Sequence, residues 1–307
     1  MNIVKIIIKI ILIVLCSCIV LFILDYARIN IRYLLQKKYY KEEFSVQGIK
    51  DGYVPQGLTY NREHDLVLQT SYNKEHKVSK LYLTNFTDKK FIKELELLDE
   101  NGNESTSHVG GIATYKDTIY ITSDYKIYEY SMNDALTSTN KITATKSGDL
   151  TIRGDFCYCD EEKNILWIGD FFLKPVYPVP NDDPKLYGFS LTKENSSYFT
   201  EPDYSYSLPK MVQGMAIHKN KVFFSESYTY LINSNLEIYD NIIENNNGSK
   251  FYKANKVKTV KLPPMSEGIF VKDDRLYFLL ESAADSYGGA YPKVYNILSV
   301  DINDLIK

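Results

Sequence analysis

The chain has 307 residues, with 36 basic and 39 acidic side chains for a net charge of −3, and no basic stripe that could track a phosphate backbone, which argues against nucleic acid as a partner. With 27 Tyr and 14 Phe against 1 Trp, and Ile, Val, Leu and Thr in short runs bounded by Asn, Asp, Gly and Pro, the composition favours strands over helices. Its 4 cysteines show neither a disulfide framework nor zinc-ligand spacing; Cys157 and Cys159 read as thiols on one face of a strand.

Residues 3–24, IVKIIIKIILIVLCSCIVLFIL, are apolar except for Lys5, Lys9 and Ser17. A bilayer core takes about 20 such residues as a helix, and lysines near one end reach the headgroups. Three readings compete: a cleaved secretory signal, a lipoprotein signal built on LCSC at 15–18, and an uncleaved anchor. The stretch LDYARI offers no Ala-x-Ala-like exit, and IVLFIL stays apolar beyond Cys18, so a single-pass anchor in a cell membrane is favoured. A strict count of flanking positive charge, with Arg28, Arg32, Lys37, Lys38 and Lys41 after the span, favours a cytoplasmic domain. The short basic start before an apolar core favours export, and large domains translocate despite such charge. An extracytoplasmic domain is the expectation we carry forward. Residues 25–43 then read as a helical, partly basic stalk whose cations lie on anionic membrane lipid.

From residue 44 onward one pattern recurs: VPQGLTY (54–60), HVGGIATY (108–115), IRGDFCY (152–158), VQGMAIH (212–218) and MSEGIFV (265–271). Matching Gly57, Gly111, Asp155, Gly214 and Gly268 gives intervals of 54, 44, 59 and 54 residues, a period that belongs to propellers or solenoids. Each signal is followed by a polar turn and a second and third strand, and the first four by a fourth strand as well. The second strands read LVLQTSY, IYITSDY, ILWIGDF, VFFSESY and LYFLLES. Fourth strands are predicted at KFIKELEL, NKITATK, YSYSLP and KVKTVKLP. Four strands in meander order, repeated radially, describe propeller blades. The fifth repeat lacks its fourth strand, and EFSVQGI (43–49) can supply it, closing the ring without open edges. The predicted fold is all-β, a five-bladed β-propeller over 44–307, with an N-terminal transmembrane helix at 1–24 and the stalk at 25–43. Glycine at the crowded inner strands lets backbones approach. Long connections at 173–185 and 282–293 follow second strands and so emerge on one face, where binding loops collect. The Asn-rich stretch at 241–250 reads as a loop tip on the other.

Because adjacent strands are antiparallel, the starts of the inner strands and the ends of the second strands share one mouth of the channel. The first column supplies Gln56, His108, Arg153, Asp155, Gln213 and Glu267; the second supplies Ser71, Asp124, Asp170, Ser227 and Glu281, with Glu226 beside it. Three uses of such an acidic ring compete. Its members can satisfy one another in a wet channel. Asp155, Asp170, Glu267 and Glu281 are hard oxygen ligands, which makes calcium a candidate cofactor. A carboxylate pair can also run acid–base chemistry, with Glu267, Glu281 and Asp170 acting beside His108. Arg153 can clamp an anionic substrate or pair with Asp155. His64 and His76 fall in turns.

The stretch VPQGLTYNREHDLVLQTSYNKEHKVSKLYLTN (54–85) resembles the opening blade of the plant-type glutaminyl cyclases, which are five-bladed propellers. The resemblance is most specific there and looser over 44–307. That family places a catalytic glutamate in its second signal, where this chain has Gly110; a Glu-Gly pair occurs instead at 267–268. The resemblance therefore implies the fold and not the mechanism. The leading expectation is a membrane-anchored propeller that binds a small molecule, glycan or protein at its channel mouth, and the alternative is a hydrolase or cyclase-like transferase on the same disc.

Overall fold

The computed structural model describes residues 2–75, 77–192, 199–241, 243 and 256–306; His76 and most of the Asn-rich stretch at 241–250 lie outside them. The apolar start forms helix α1 (Asn2–Gln36). Among the described residues it is the one helix long and apolar enough to cross a membrane. At 1.5 Å per residue it extends about 52 Å, against about 30 Å for a bilayer core. Its last third, expected to be a stalk, is packed on the propeller. Ile29 is buried, Tyr33 joins the core between the last two blades, and Gln36 Nε2 donates to the Lys261 carbonyl at 3.0 Å.

Strand β1 (Lys41–Ser45) follows, beginning in the last three residues of the segment read as stalk and ending in the propeller. The first blade is β2 (Tyr53–Asn61), β3 (Leu66–Asn73), β4 (Lys80–Asn85) and β5 (Phe91–Leu98). The second holds β6 (Gly111–Tyr115), β7 (Thr118–Ser123) and β8 (Lys126–Ser131). The predicted fourth strand NKITATK is divided. Its first part, β9 (Lys141–Thr143), adds in parallel to β5 on the edge of the first blade, and β10 (Lys146–Asp149) completes the second. Helix α2 (Met132–Thr137), capped by the Ser131 hydroxyl, sets this break by carrying the chain back toward the neighbouring blade. The third blade is β11 (Phe156–Asp160), β12 (Ile165–Gly169), β13 (Lys185–Ser190) and β14 (Tyr204–Ser207). The fourth is β15 (Val212–His218), β16 (Lys221–Glu226), β17 (Ser234–Asp240) and β18 (Lys256–Leu262). The fifth is β19 (Ser266–Lys272), β20 (Arg275–Leu280) and β21 (Asn296–Asp301), and β1 pairs antiparallel with β21 to finish it.

The ring is closed. β2 lies against β6, β6 against β11, β11 against β15, β15 against β19, and β19 against β2. One apolar cluster fills each of the five gaps between blades. Glycine is needed where the inner strands converge: a Cβ on Gly268 would stand 2.4 Å from the Leu58 amide nitrogen of the first blade. In the third blade the small residue sits on the other strand of the pair. Phe156, not Asp155, occupies the glycine slot, opposite Gly169, and a Cβ on Gly169 would fall 2.1 Å from the Phe156 ring. The matching of Asp155 with the glycines is thus corrected by one residue, which puts Asp155 level with Gln56, Gly110, Gln213 and Glu267.

Candidate functional site

The inner strands begin at one mouth of the channel, and the bulges in β2, β15 and β19 near this end turn their first residues inward. Glu267 and Glu281 meet there. Both are buried and their carboxyls interact directly as a side-chain pair; a hydrogen bond between two carboxyls needs one of them protonated. Gln56 Nε2 donates to Glu281 Oε2 at 3.0 Å, and Gln213 Nε2 to Glu267 Oε1 at 3.4 Å. Burial, together with the neighbouring Glu281 charge, pushes the Glu267 carboxyl well above the usual carboxylate range. Burial likewise raises Glu281 to about 7, opposed by its hydrogen bond to Tyr287 and the charge of Lys74. No cation forms an ion pair with either carboxyl among the described residues.

Two tyrosines and a lysine cover the pair. Tyr287 hydrogen-bonds with both Glu281 and Tyr72, and Lys74 Nζ sits 3.9 Å from the centre of the Tyr287 ring. His108 stacks 4.4 Å from Tyr72. Burial lowers its imidazole to about 4, with Asp124 opposing and Arg153 and Lys74 adding to the fall, so it is neutral at pH 7. These three side chains escaped the sequence columns. Tyr72 follows Ser71 directly, and Tyr287 lies in the 282–293 connection assigned to this face, so only their convergence was hidden.

The remaining column residues hold the mouth in shape. Arg153 pairs with Asp155 at 3.0 Å and stacks on Tyr177. Burial raises the Asp155 carboxyl to about 7 against the pull of Arg153, while its Oδ2 accepts from the Phe171 amide at 2.7 Å. Asp170 accepts from the backbone amides of Arg153 and Lys185. Ser71 accepts from Gln69, Asp124 from Ser123, and Ser227 from Ser234. Glu226 accepts from Asn235, with burial raising it to about 7. The four carboxylates considered for calcium therefore divide into a directly interacting pair and two acids fastened to backbone amides. Among the described residues no three His, Cys, Asp or Glu side chains gather as a metal site.

An open cavity lies at the opposite end. It holds about 640 Å³ and reaches inward to Leu58, Ile112, Cys157 and Ile269, without touching Gln56, Gln213 or Glu267. Its rim carries Arg62, Glu161, Glu162, Lys163 and Lys219, and His218 Nε2 bonds Asp274 Oδ1 beside it at 2.6 Å. Chemistry and open space thus sit at different ends. We assign the candidate site to the carboxyl end, because a buried acid pair without a fixed cation is costly to maintain, whereas a polar hollow is ordinary for a channel end.

No family model and no curated protein matches the chain. Among solved structures it is similar to the glutaminyl cyclase of Myxococcus xanthus, at 9% identity and TM-score 0.48 over 78% of this chain and 88% of that one. It is similar also to a nidogen/laminin complex, at 12% identity and TM-score 0.45 over 76% and 74%, and to the RRP9 WD40 repeats, at 6% and 0.43 over 86% and 97%. The chain is a five-bladed β-propeller on the strength of its own blades and closed ring, and no chemistry is taken from these likenesses.

Proposed function

We propose that this protein is held in a cell membrane by α1, presents its propeller outside the cytoplasm, and binds a polar ligand at the mouth formed by Glu267 and Glu281. The observation that carries the reading is the buried pair of carboxyls, flanked by Gln56 and Gln213 and walled by Tyr72 and Tyr287. A ligand offering hydrogen-bond donors, as a glycan, an amine or a polar protein segment does, would complete these acceptors, and the rings would stack on its apolar face. Lys74, over Tyr287, sits where it would guard entry. The long apolar helix and the short basic start before it support the anchored, exported placement.

The test is a thermal-shift screen of glycans and amine-bearing ligands against the full chain in detergent and its Glu267→Gln variant. A ligand present at 100 times its Kd stabilises the native state by about 2.7 kcal/mol. Shifts that survive in the wild type and vanish in the variant support the site; equal shifts in both place binding elsewhere.

One observation favours a second reading, an acid–base enzyme. A carboxyl raised to about 7 beside one raised further is poised to give and take a proton near neutral pH. The two groups are in hydrogen-bond contact, closer than the roughly 5 Å separation that a retaining glycosidase needs, so a shared-proton dyad fits better than two-carboxylate displacement. Turnover of a screened ligand, abolished in both Glu267→Gln and Glu281→Gln, would establish it.

A further inference from the structure

The two sets of connections between strands differ in kind. The turns joining first to second strands, at 62–65, 116–117, 161–164, 219–220 and 273–274, are built from Arg, Glu, His, Asp, Lys and Asn, and carry no exposed large apolar side chain. The connections joining second to third strands, on the carboxyl face, carry Tyr125, Val176, Tyr228, Leu231, Ile232 and Tyr291, all exposed. Ile232 and Val176 are 53% and 54% exposed, and with the exposed tyrosines they gather on one face, where an apolar patch marks an interaction surface.

Helix α1 says what covers them. Leu24 ends the apolar run, and Tyr26, just beyond it, has its ring 6.1 Å from that of Tyr291 on the carboxyl face. Ten residues further, about 15 Å along the helix, Gln36 bonds the Lys261 carbonyl at the end of β18 nearest the same face. If residues 3–24 cross a bilayer, Tyr26 stands at the headgroups and Tyr291 with it. The loop tips then point at the lipid while the disc lies some 15 Å further out.

We propose that the carboxyl face of the propeller lies against the membrane that α1 spans, with the apolar tips of the 227–233 and 173–185 loops and the tyrosines around them seated in the headgroup layer. Tyrosine at that depth is in its favoured place, with its ring apolar and its hydroxyl wet. Leu and Ile tips gain by leaving water for the acyl boundary. The partner surface is lipid, in whichever leaflet borders the domain. The Glu267–Glu281 mouth then opens toward the bilayer, and its ligand reaches it along the membrane plane. The 640 Å³ hollow faces bulk solvent. This inference rests on the anchor reading of α1 proposed above, and it adds which face the anchor presents.

The experiment uses the full chain in phosphatidylcholine vesicles whose acyl chains are brominated close to the headgroup, compared with unbrominated vesicles. Trp167, the one native tryptophan, is fully buried and serves as a constant background. Three variants are read: Leu12→Trp in the span, Ile232→Trp on the carboxyl face, and Lys163→Trp on the far face, with Leu231→Trp as a second carboxyl-face site should Ile232→Trp fail to fold. The expected result is loss of emission in brominated lipid at position 12 and at 232 or 231, and none at 163. Quenching at 12 without quenching at 232 and 231 overturns the orientation and leaves the anchor standing. Quenching at 163 overturns it as well. No quenching at 12 removes the anchor and this inference together.

Discussion

At one end of the channel, Glu267 and Glu281 are buried as a directly interacting pair beside Tyr72, Tyr287 and Lys74. At the other, the same five strands leave an open hollow with a charged rim. The difference comes from what stands at each level of the inner strands. The first level carries Gln56, Gln213 and Glu267, whose side chains bond between blades, and Asp155, which pairs with Arg153 beside it. Leu58, Ile112, Cys157 and Ile269 form the inner end of the hollow. A propeller thus keeps two separate compartments on one axis. Burial raises acids at the closed end, and at the open end His218 and Lys219 share Asp274 in reach of solvent.

The largest effect should come from breaking the ring that both ends share. Gly268→Ala would drive a methyl into the Leu58 backbone, and such overpacking costs up to about 3 kcal/mol; a fallen unfolding midpoint and loss of all site-specific readouts at both ends should follow.

Next comes the pH dependence of the closed end. The folded-state values of Glu267 and Glu281 lie above the ordinary 4.5, so the folded protein holds more protons than the unfolded one. Their contribution to stability is therefore complete below about pH 4.5 and falls as pH rises through about 7. Denaturant midpoints measured between pH 5 and 8 should fall, and the fall should be shallower in Glu267→Gln. An equal slope in the variant would mean that the pair is not responsible.

A smaller effect sharpens the contrast from the other side. Cys159 lines the hollow, so Cys159→Phe has space to enter and should change stability by less than about 1 kcal/mol, with the pH slope of the closed end unchanged. Smallest of all, His218→Ala gives up a solvent-reachable pair with Asp274, worth little as such pairs are, and its unfolding midpoint should match the wild type.

The blade count was legible because each inner strand repeats a small residue followed by alternating apolar ones, and because EFSVQGI had no other role than to close the ring. The boundary between β9 and β10 was not, since KIT has the alternation of an ordinary fourth strand and only the parallel pairing with β5 tells which blade it joins. The exchange of Phe156 and Gly169 was hidden for a related reason: sequence shows one strand at a time, and the steric condition belongs to the pair. For the site, antiparallel bookkeeping brought Glu267 and Glu281 to one mouth. It could not show that Tyr287, in a long connection, would fold back over them, nor that Asp170 would be taken up by backbone amides. The packing of α1 on the fourth and fifth blades escaped because Ile29 and Tyr33 stand in a segment whose cations suggested lipid instead.

The most direct measurement is the infrared carboxyl stretch of the folded chain at pH 7, taken as difference spectra between wild type and the Glu267→Gln and Glu281→Gln variants. Asp155 and Glu226 are also raised to about 7, and the differences cancel their bands. A protonated-carboxyl band is expected in the wild type and should weaken in both variants. Spectra in which neither variant changes that band would contradict it.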